Sequence, residues 1–220
     1  MSTVTRWWWV RHAPVPDEGC VYGQRDLPAD CSDLPSFEYV AARLPKGAVW
    51  ITTHLCRTRQ TAEAPIACGH AAPSLLVESD LVEQHFGVWQ GQKREELFRR
   101  HSAWPNFWLA PADHCPPGGE SFADLTRRVG PAILRLTEVH AGKDIVAVTH
   151  GGTIRAALGL ALGLAPNAML SFSVDNVSLT RIDHIRAPEG PGPREAWRVV
   201  TVNQRVHGQG PGGVAKGAFA

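Results

Sequence analysis

Three places in the chain set cationic or imidazole side chains directly after a short apolar run. Arg11 and His12 follow Trp7-Trp8-Trp9-Val10. Thr53-His54-Leu55-Cys56-Arg57 follow Ala48 to Thr52, and His150-Gly151-Gly152 follow Ile145 to Thr149. Arginine presents a planar, permanently charged fork that bonds phosphoryl oxygens in pairs. Histidine near neutral pH offers a nitrogen lone pair or a proton. Singly, each residue has an ordinary explanation: a strand-end arginine is often solvated, and a histidine before two glycines often caps a helix. Two arginines and two histidines, each at the end of such a run or just beyond it, predict convergence on one anion. A phosphoryl group fits them best.

The runs that carry these residues read as strands covered on both faces, because they are short, apolar and uninterrupted. Leu75 to Val77 is a further short run. Helical patterns lie between them: Phe37 to Leu44, Leu55 to Ile66, Glu95 to Arg100, Ser121 to His140 with an expected bend at Gly130-Pro131, and Thr153 to Leu164. Strands alternating with helices predict a three-layer α/β/α fold around a mostly parallel sheet. In such sheets ligands bind beyond the carboxyl ends of the strands. Helix starts there add free N–H groups and partial positive charge. Ser171 to Ile182 and Trp197 to Val202 read as two later strands, joined by a Pro/Gly-rich loop at Ala187 to Pro193 that is expected to be mobile. Pro111 to Gly119 reads as an insertion near a site. Residues 1–207 are expected to form one domain, and the Gly-rich residues 208–220 a disordered tail.

Composition narrows the partners. The chain has 220 residues, 44% hydrophobic and 20% charged, with a net charge of +1. That balance gives no nucleic-acid or membrane signal, so anion binding must come from a local cluster. No apolar stretch approaches the length of a membrane span, and the N-terminus does not read as a secretory signal. The five cysteines are scattered without C-x-x-C spacing and read as reduced thiols of a cytoplasmic protein. The ten histidines include no H-x-x-x-H or H-E-x-x-H pattern, so no metal or other cofactor is expected. Oligomeric state is not legible; a homodimer is compatible with the sequence.

Four segments in order resemble the histidine phosphatase superfamily, the phosphoglycerate-mutase-like fold. They are Val10-Arg11-His12-Ala13, Thr53 through Ala62 with Arg57 and Gln60-Thr61-Ala62, Leu81-Val82-Glu83-Gln84-His85-Phe86-Gly87-Val88-Trp89-Gln90-Gly91, and Val148-Thr149-His150-Gly151-Gly152. Pro117-Gly118-Gly119-Glu120-Ser121 matches a further family segment, and the likeness covers roughly residues 5–182. The resemblance implies a phosphomonoesterase working through a phosphohistidine on a small phosphorylated metabolite. His12 would be the nucleophile and Glu83 the general acid. Arg11, Arg57 and His150 would hold the phosphoryl oxygens, with Gly151 at the helix start. The three tryptophans are packing residues; Trp89, Trp104 and Trp108 are expected to pack a helical cap, with the lining of a substrate pocket as the alternative.

Departures from the family pattern sharpen the expectation. Ala13 replaces the usual glycine, which matters only where the backbone needs positive φ. Thr53 replaces a serine and keeps the hydroxyl. The segment after His12 lacks the asparagine of phosphoglycerate mutases, which favours a phosphatase over a mutase. Cys20 through Pro28 resembles a stretch of α-ribazole phosphatases, which act in cobalamin synthesis, and would place Tyr22, Gly23 and Gln24 near the substrate. Alternatives are a phosphoglycerate mutase and a non-catalytic protein that binds a phosphorylated ligand.

Overall fold

The computed structural model describes residues 2–69, 74–100, 110–188 and 194–206. Its centre is β1 (Thr3–Arg11), flanked by β4 (Asp144–Thr149) and β5 (Leu179–Arg186) in a sheet completed by β2 (Val49–Thr52), β3 (Leu75–Val77) and β6 (Glu195–Gln204). The order is β3-β2-β4-β1-β5-β6. β1 runs parallel to β4, and β2 parallel to β3 and β4, while β5 pairs antiparallel with both β1 and β6. The sheet is therefore mostly parallel, as expected.

Alternation along β1 explains the tryptophan run. Trp7 and Trp9 face one side, where α4 (Phe122–Val139) and α5 (Gly151–Leu162) pack through Leu125, Val129, Ile133, Ile154 and Leu158. Trp8 and Val10 face the other, where α1 (Leu34–Ala41) and α2 (Cys56–Ala67) pack through Phe37, Val40 and Ala62. The two layers follow directly from the period of two in a strand. Trp7 and Trp9 stack at 4.6 Å between ring centroids, and the Trp7 indole donates to Thr137 at 2.9 Å. Burying an indole removes about 150–250 Å² from water, worth about 4–6 kcal/mol at ~25 cal/mol per Å². The strand that carries Arg11 and His12 is thus fixed from both faces.

Several element boundaries differ from expectation, each for a local reason. α1 starts at Leu34 rather than Phe37, because Asp33 caps it and Pro35 suits a first turn. α5 starts at Gly151 and stops at Gly163, whose φ of 64 ends the helix in the left-handed region. α4 keeps the expected span, from its Ser121–Asp124 capping box to its C-cap His140. The predicted strand at Ser171 begins only at Leu179. Residues 171–178 are instead irregular, with Val177 at a φ of 53. The sequence Asp175-Asn176 is a turn former, and it overrides the apolar residues around it.

Among the described residues no helix is long and apolar enough to cross a membrane. None of their His, Cys, Asp and Glu side chains form a group of three or more that could hold a metal ion. The tail from 208, most of the Ala187 to Pro193 loop, Trp104 and Trp108 lie outside the described residues.

Candidate active site

β2, β4 and β1 are neighbours, so their carboxyl ends lie side by side. Register sets their height. Val148 pairs with both Val10 and Thr52, and Thr149 pairs with Arg11. One step further, His12 donates its backbone N–H to Thr149 O at 2.9 Å, and the His12 and His150 rings meet at 5.3 Å between centroids.

Each of these side chains is buried and oriented. His12 is 1% exposed. Its Nδ1 lies 2.7 Å from Ala13 O, which requires the proton on Nδ1 and leaves Nε2 with the lone pair. Nε2 is buried and has no protein partner among the described residues. Burial first, then the Arg57 and Arg11 guanidiniums, hold the imidazole well below its ordinary value of 6.5. A neutral, single-tautomer imidazole is the form a nucleophile needs.

His150 is equally buried. Its Nε2 lies 3.0 Å from Thr53 Oγ1, and Arg57 Nη2 approaches its Nδ1 at 3.4 Å. The arginine can only donate, so the proton of neutral His150 sits on Nε2. Burial, then Arg57, His12, Arg128 and Arg11, lower its pKa well below the ordinary value. These surroundings keep His150 neutral. A phosphoryl dianion would oppose that effect.

Arg57 is fully buried at the first turn of α2, where it donates to Gly23 O at 2.5 Å and Arg25 O at 2.8 Å. Gly23 has a φ of +47, and a Cβ there would lie 2.5 Å from Gln90 Oε1 and 2.8 Å from Gln84 O. Glycine is required both by conformation and by space. Arg11 donates to Val174 O at 2.6 Å. Tyr22 sets its ring 6.1 Å from His12 and beneath Arg57, 5.0 Å from the guanidinium carbon. Asp26, from the same stretch, accepts from Cys56 N at 2.7 Å and so caps α2.

Glu83 lies on irregular chain between β3 and α3 (Arg94–Arg100) and is 1% exposed. Its carboxylate accepts from Gln84 N at 2.9 Å and, at 3.4 Å, from Gly152 N at the start of α5. Gln24 supports it from behind, donating its side-chain amide to Glu83 O at 2.9 Å. Gly152 is indispensable to this seat, since a Cβ there would fall 2.3 Å from Glu83 Oε1. Gly151 supplies one of the first N–H groups of α5, which have no partner within the helix.

His12, Arg11, Arg57, His150, Tyr22 and Glu83 thus cluster around the ends of β1 and β4 and the start of α5, while Gly23 and Gln24 serve Arg57 and Glu83. Ala13 is not among the residues with positive φ; its N–H donates to Thr61 Oγ1 at 2.8 Å. The methyl group therefore costs no backbone strain. The structure also brings in residues that the sequence reading passed over. Asn176 donates to His12 O at 2.7 Å, and Val177 N donates to Arg11 O at 3.0 Å. Thr61 had been read only as a letter of a motif. Chemically, the cluster offers a lone pair, flanking guanidiniums, a second imidazole and a carboxyl group around one point.

The sequence pattern of the histidine phosphatase superfamily, branch 1, matches residues 7–190. A bifunctional protein of Mycobacterium tuberculosis is 33% identical over 142 residues, covering 64% of this chain and 38% of that protein, so the chain spans well under half its length. A probable phosphoglycerate mutase of Yersinia enterocolitica is 29% identical over 191 residues, 85% of this chain and 86% of that one. Among solved structures, a putative alpha-ribazole-5'-P phosphatase from Escherichia coli is similar at a TM-score of 0.72 and 23% identity, covering 91% of this chain and 96% of that one. A mycobacterial glucosyl-3-phosphoglycerate phosphatase reaches 0.73 at 22% identity, covering 90% and 98%. At these identities the likeness to solved structures is one of fold.

Proposed function

The chain belongs to the histidine phosphatase superfamily, and on that premise we propose that it is a metal-independent phosphomonoesterase acting on a small phosphorylated metabolite. The observation that carries the reading is the His12 tautomer: Nδ1 is tied to Ala13 O, and Nε2 keeps its lone pair beside Arg57 and His150.

In this reading His12 Nε2 attacks phosphorus. The bond from phosphorus to the ester oxygen breaks, and that oxygen leaves with the proton of Glu83. Water then attacks the phosphohistidine and gives its proton to Glu83 as the phosphorus–nitrogen bond breaks. Inorganic phosphate departs and both groups return to their starting states. Arg11, Arg57 and His150 hold the three equatorial oxygens, and their charge stabilises the transition state in a site shielded from water. Guanidiniums here supply the positive charge that a metal supplies elsewhere.

The test is phosphate release from p-nitrophenyl phosphate in excess EDTA, compared with His12→Ala. Turnover that survives EDTA and disappears in the variant supports the reading; turnover that persists in the variant overturns it. The Tyr22-Gly23 to Asp26 likeness makes α-ribazole 5'-phosphate the first natural ester to try. The Yersinia relative favours a second reading, a phosphoglycerate mutase. Transfer of the phosphoryl group to a sugar-acid acceptor, rather than to water, would support it.

A further inference from the structure

Glu83 sits on chain that has no helix or strand to hold it, yet a general acid must be held as accurately as the nucleophile. Besides Gln24, which bonds the Glu83 carbonyl from one side, a second side chain restrains the whole segment. Arg128, on the second turn of α4, donates Nη2 to Glu83 O at 2.9 Å and Nη1 to Asp80 O at 2.8 Å. The same guanidinium meets Glu120, with Nε to Oε2 at 3.0 Å and Nη2 to Oε1 at 2.6 Å. Glu120 in turn receives His85 N on Oε1 at 3.0 Å, and its backbone N–H donates to His85 O at 2.8 Å. Gln84 Nε2 donates to Glu120 O at 2.9 Å. Every residue from Glu83 to His85 is therefore bonded to Arg128 or Glu120.

An exposed ion pair contributes little, but this one is only 22% and 19% exposed, and its fork spends two donors on carbonyl oxygens that bracket the approach to Glu83. Glu120 lies in Pro117-Gly118-Gly119-Glu120-Ser121, and Ser121 caps α4, so the residue after Glu120 is the cap of the helix that presents Arg128. Gly119 permits the close approach, since a Cβ there would lie 2.3 Å from His85 O. Between the Asp80 and Glu83 carbonyls a second helix takes hold: Thr153 Oγ1 on α5 donates to Leu81 O at 2.9 Å.

We propose that Arg128, oriented by Glu120, is a positioning residue that sets the Glu83 carboxyl against the leaving oxygen of the substrate. This rests on Glu83 being the general acid. A general acid matters for an alkoxide leaving group and hardly at all for p-nitrophenolate, which departs unprotonated. A role in folding alone would lower both rates equally.

The experiment measures kcat/KM, which reports the steps up to the phosphohistidine and not its hydrolysis, with p-nitrophenyl phosphate and with an alkyl ester, glycerol 2-phosphate, for wild type, Glu83→Gln, Arg128→Lys and the double variant. Lysine keeps the charge and loses the fork. Expected losses in kcat/KM on the alkyl ester are about 100-fold for Glu83→Gln and about tenfold for Arg128→Lys; on p-nitrophenyl phosphate Arg128→Lys changes kcat/KM by less than about threefold, and Glu83→Gln loses far less kcat/KM than on the alkyl ester, although its kcat falls on both esters because the attacking water has lost its base. Because Arg128 acts through Glu83, the double variant should be no slower than Glu83→Gln. Equal loss on both esters in Arg128→Lys, or losses that add in the double variant, overturn the positioning role. Absence of the ester contrast in Glu83→Gln itself overturns the general-acid reading, and the positioning role with it. Should Arg128→Lys fail to fold, Glu120→Gln carries the same test with the guanidinium in place: it should show the same contrast, and equal loss on both esters overturns the role.

Discussion

Arg11, His12 and His150 hang from adjacent strand ends whose relative height is set by ladder register, with Val148 paired to both Val10 and Thr52. Glu83, Gly23 and Gln24 sit on irregular chain, placed by hydrogen bonds from Arg57, Gln24 and Arg128 to backbone carbonyls. The first half of the site inherits its geometry from the core. The second is fastened to it by side chains. Damage should therefore take different forms: in the first half a substitution removes chemistry from a fixed frame, and in the second it loosens a frame whose chemistry is intact.

The largest expected effect tests the first half. His12→Ala should lower kcat by about 10⁴-fold or more, with thermal unfolding little changed, since the β1 register does not depend on the imidazole. Stopped turnover with an unchanged unfolding midpoint is the signature to look for. Arg57→Lys comes next, with a loss of about 10²–10³-fold. It touches both halves, because the fork that would hold phosphate also holds Gly23 and Arg25. Both KM and kcat should worsen, and hydrogen exchange should quicken at residues 22–26; protection there equal to wild type would break the link. Gly152→Ala follows. Its new methyl must displace the Glu83 carboxylate, so kcat/KM for alkyl esters should fall by about 10–100-fold while that for aryl esters changes far less.

Acid lability should separate the halves further. His12 and His150 are buried and neutral, with folded pKa values depressed below 6.5. The unfolded chain then binds protons that the native state refuses. Stability is full above about pH 6.5 and declines below it, by up to about 1.4 kcal/mol per pH unit for each histidine. Unfolding midpoints between pH 7 and 5 should fall less steeply in a His150→Asn variant, and saturating phosphate or vanadate should restore part of the loss. The smallest effect is Ala13→Gly. With φ not positive, kcat should change by less than about twofold, while added chain entropy costs about 0.4–1 kcal/mol by denaturant titration.

The same division governs how much was readable in the sequence. Arg11, His12 and His150 announce themselves because apolar runs stop abruptly at them, and a strand end is a place with a direction. Glu83 carries no such signal and was found only through the resemblance of its whole segment to a family. Gly23 and Gln24 were expected near the substrate from a short resemblance alone, and nothing in that stretch announced the bonds by which they also hold Arg57 and Glu83. Asn176 and Thr61 escaped notice because they act through backbone groups of His12 and Ala13, far away in sequence. The stretch from Ser171 was read as strand because Phe172 and Val174 alternate with polar residues. The turn chemistry of Asp175-Asn176 prevails there, and it shapes the chain that wraps Arg11.

That wrapping has a consequence for the order of events in folding. The Arg11 bond to Val174 and the Asn176 bond to His12 close loops of 163 and 164 residues. Contacts so distant in sequence must meet the full entropy of loop closure before they reward it, which makes them slow to form. On a ribosome, the side chain that anchors the His12 carbonyl is synthesised more than 160 residues after His12 itself. During that interval the nascent chain carries His12 with its backbone carbonyl untethered, and the bond closes only once Asn176 has been made.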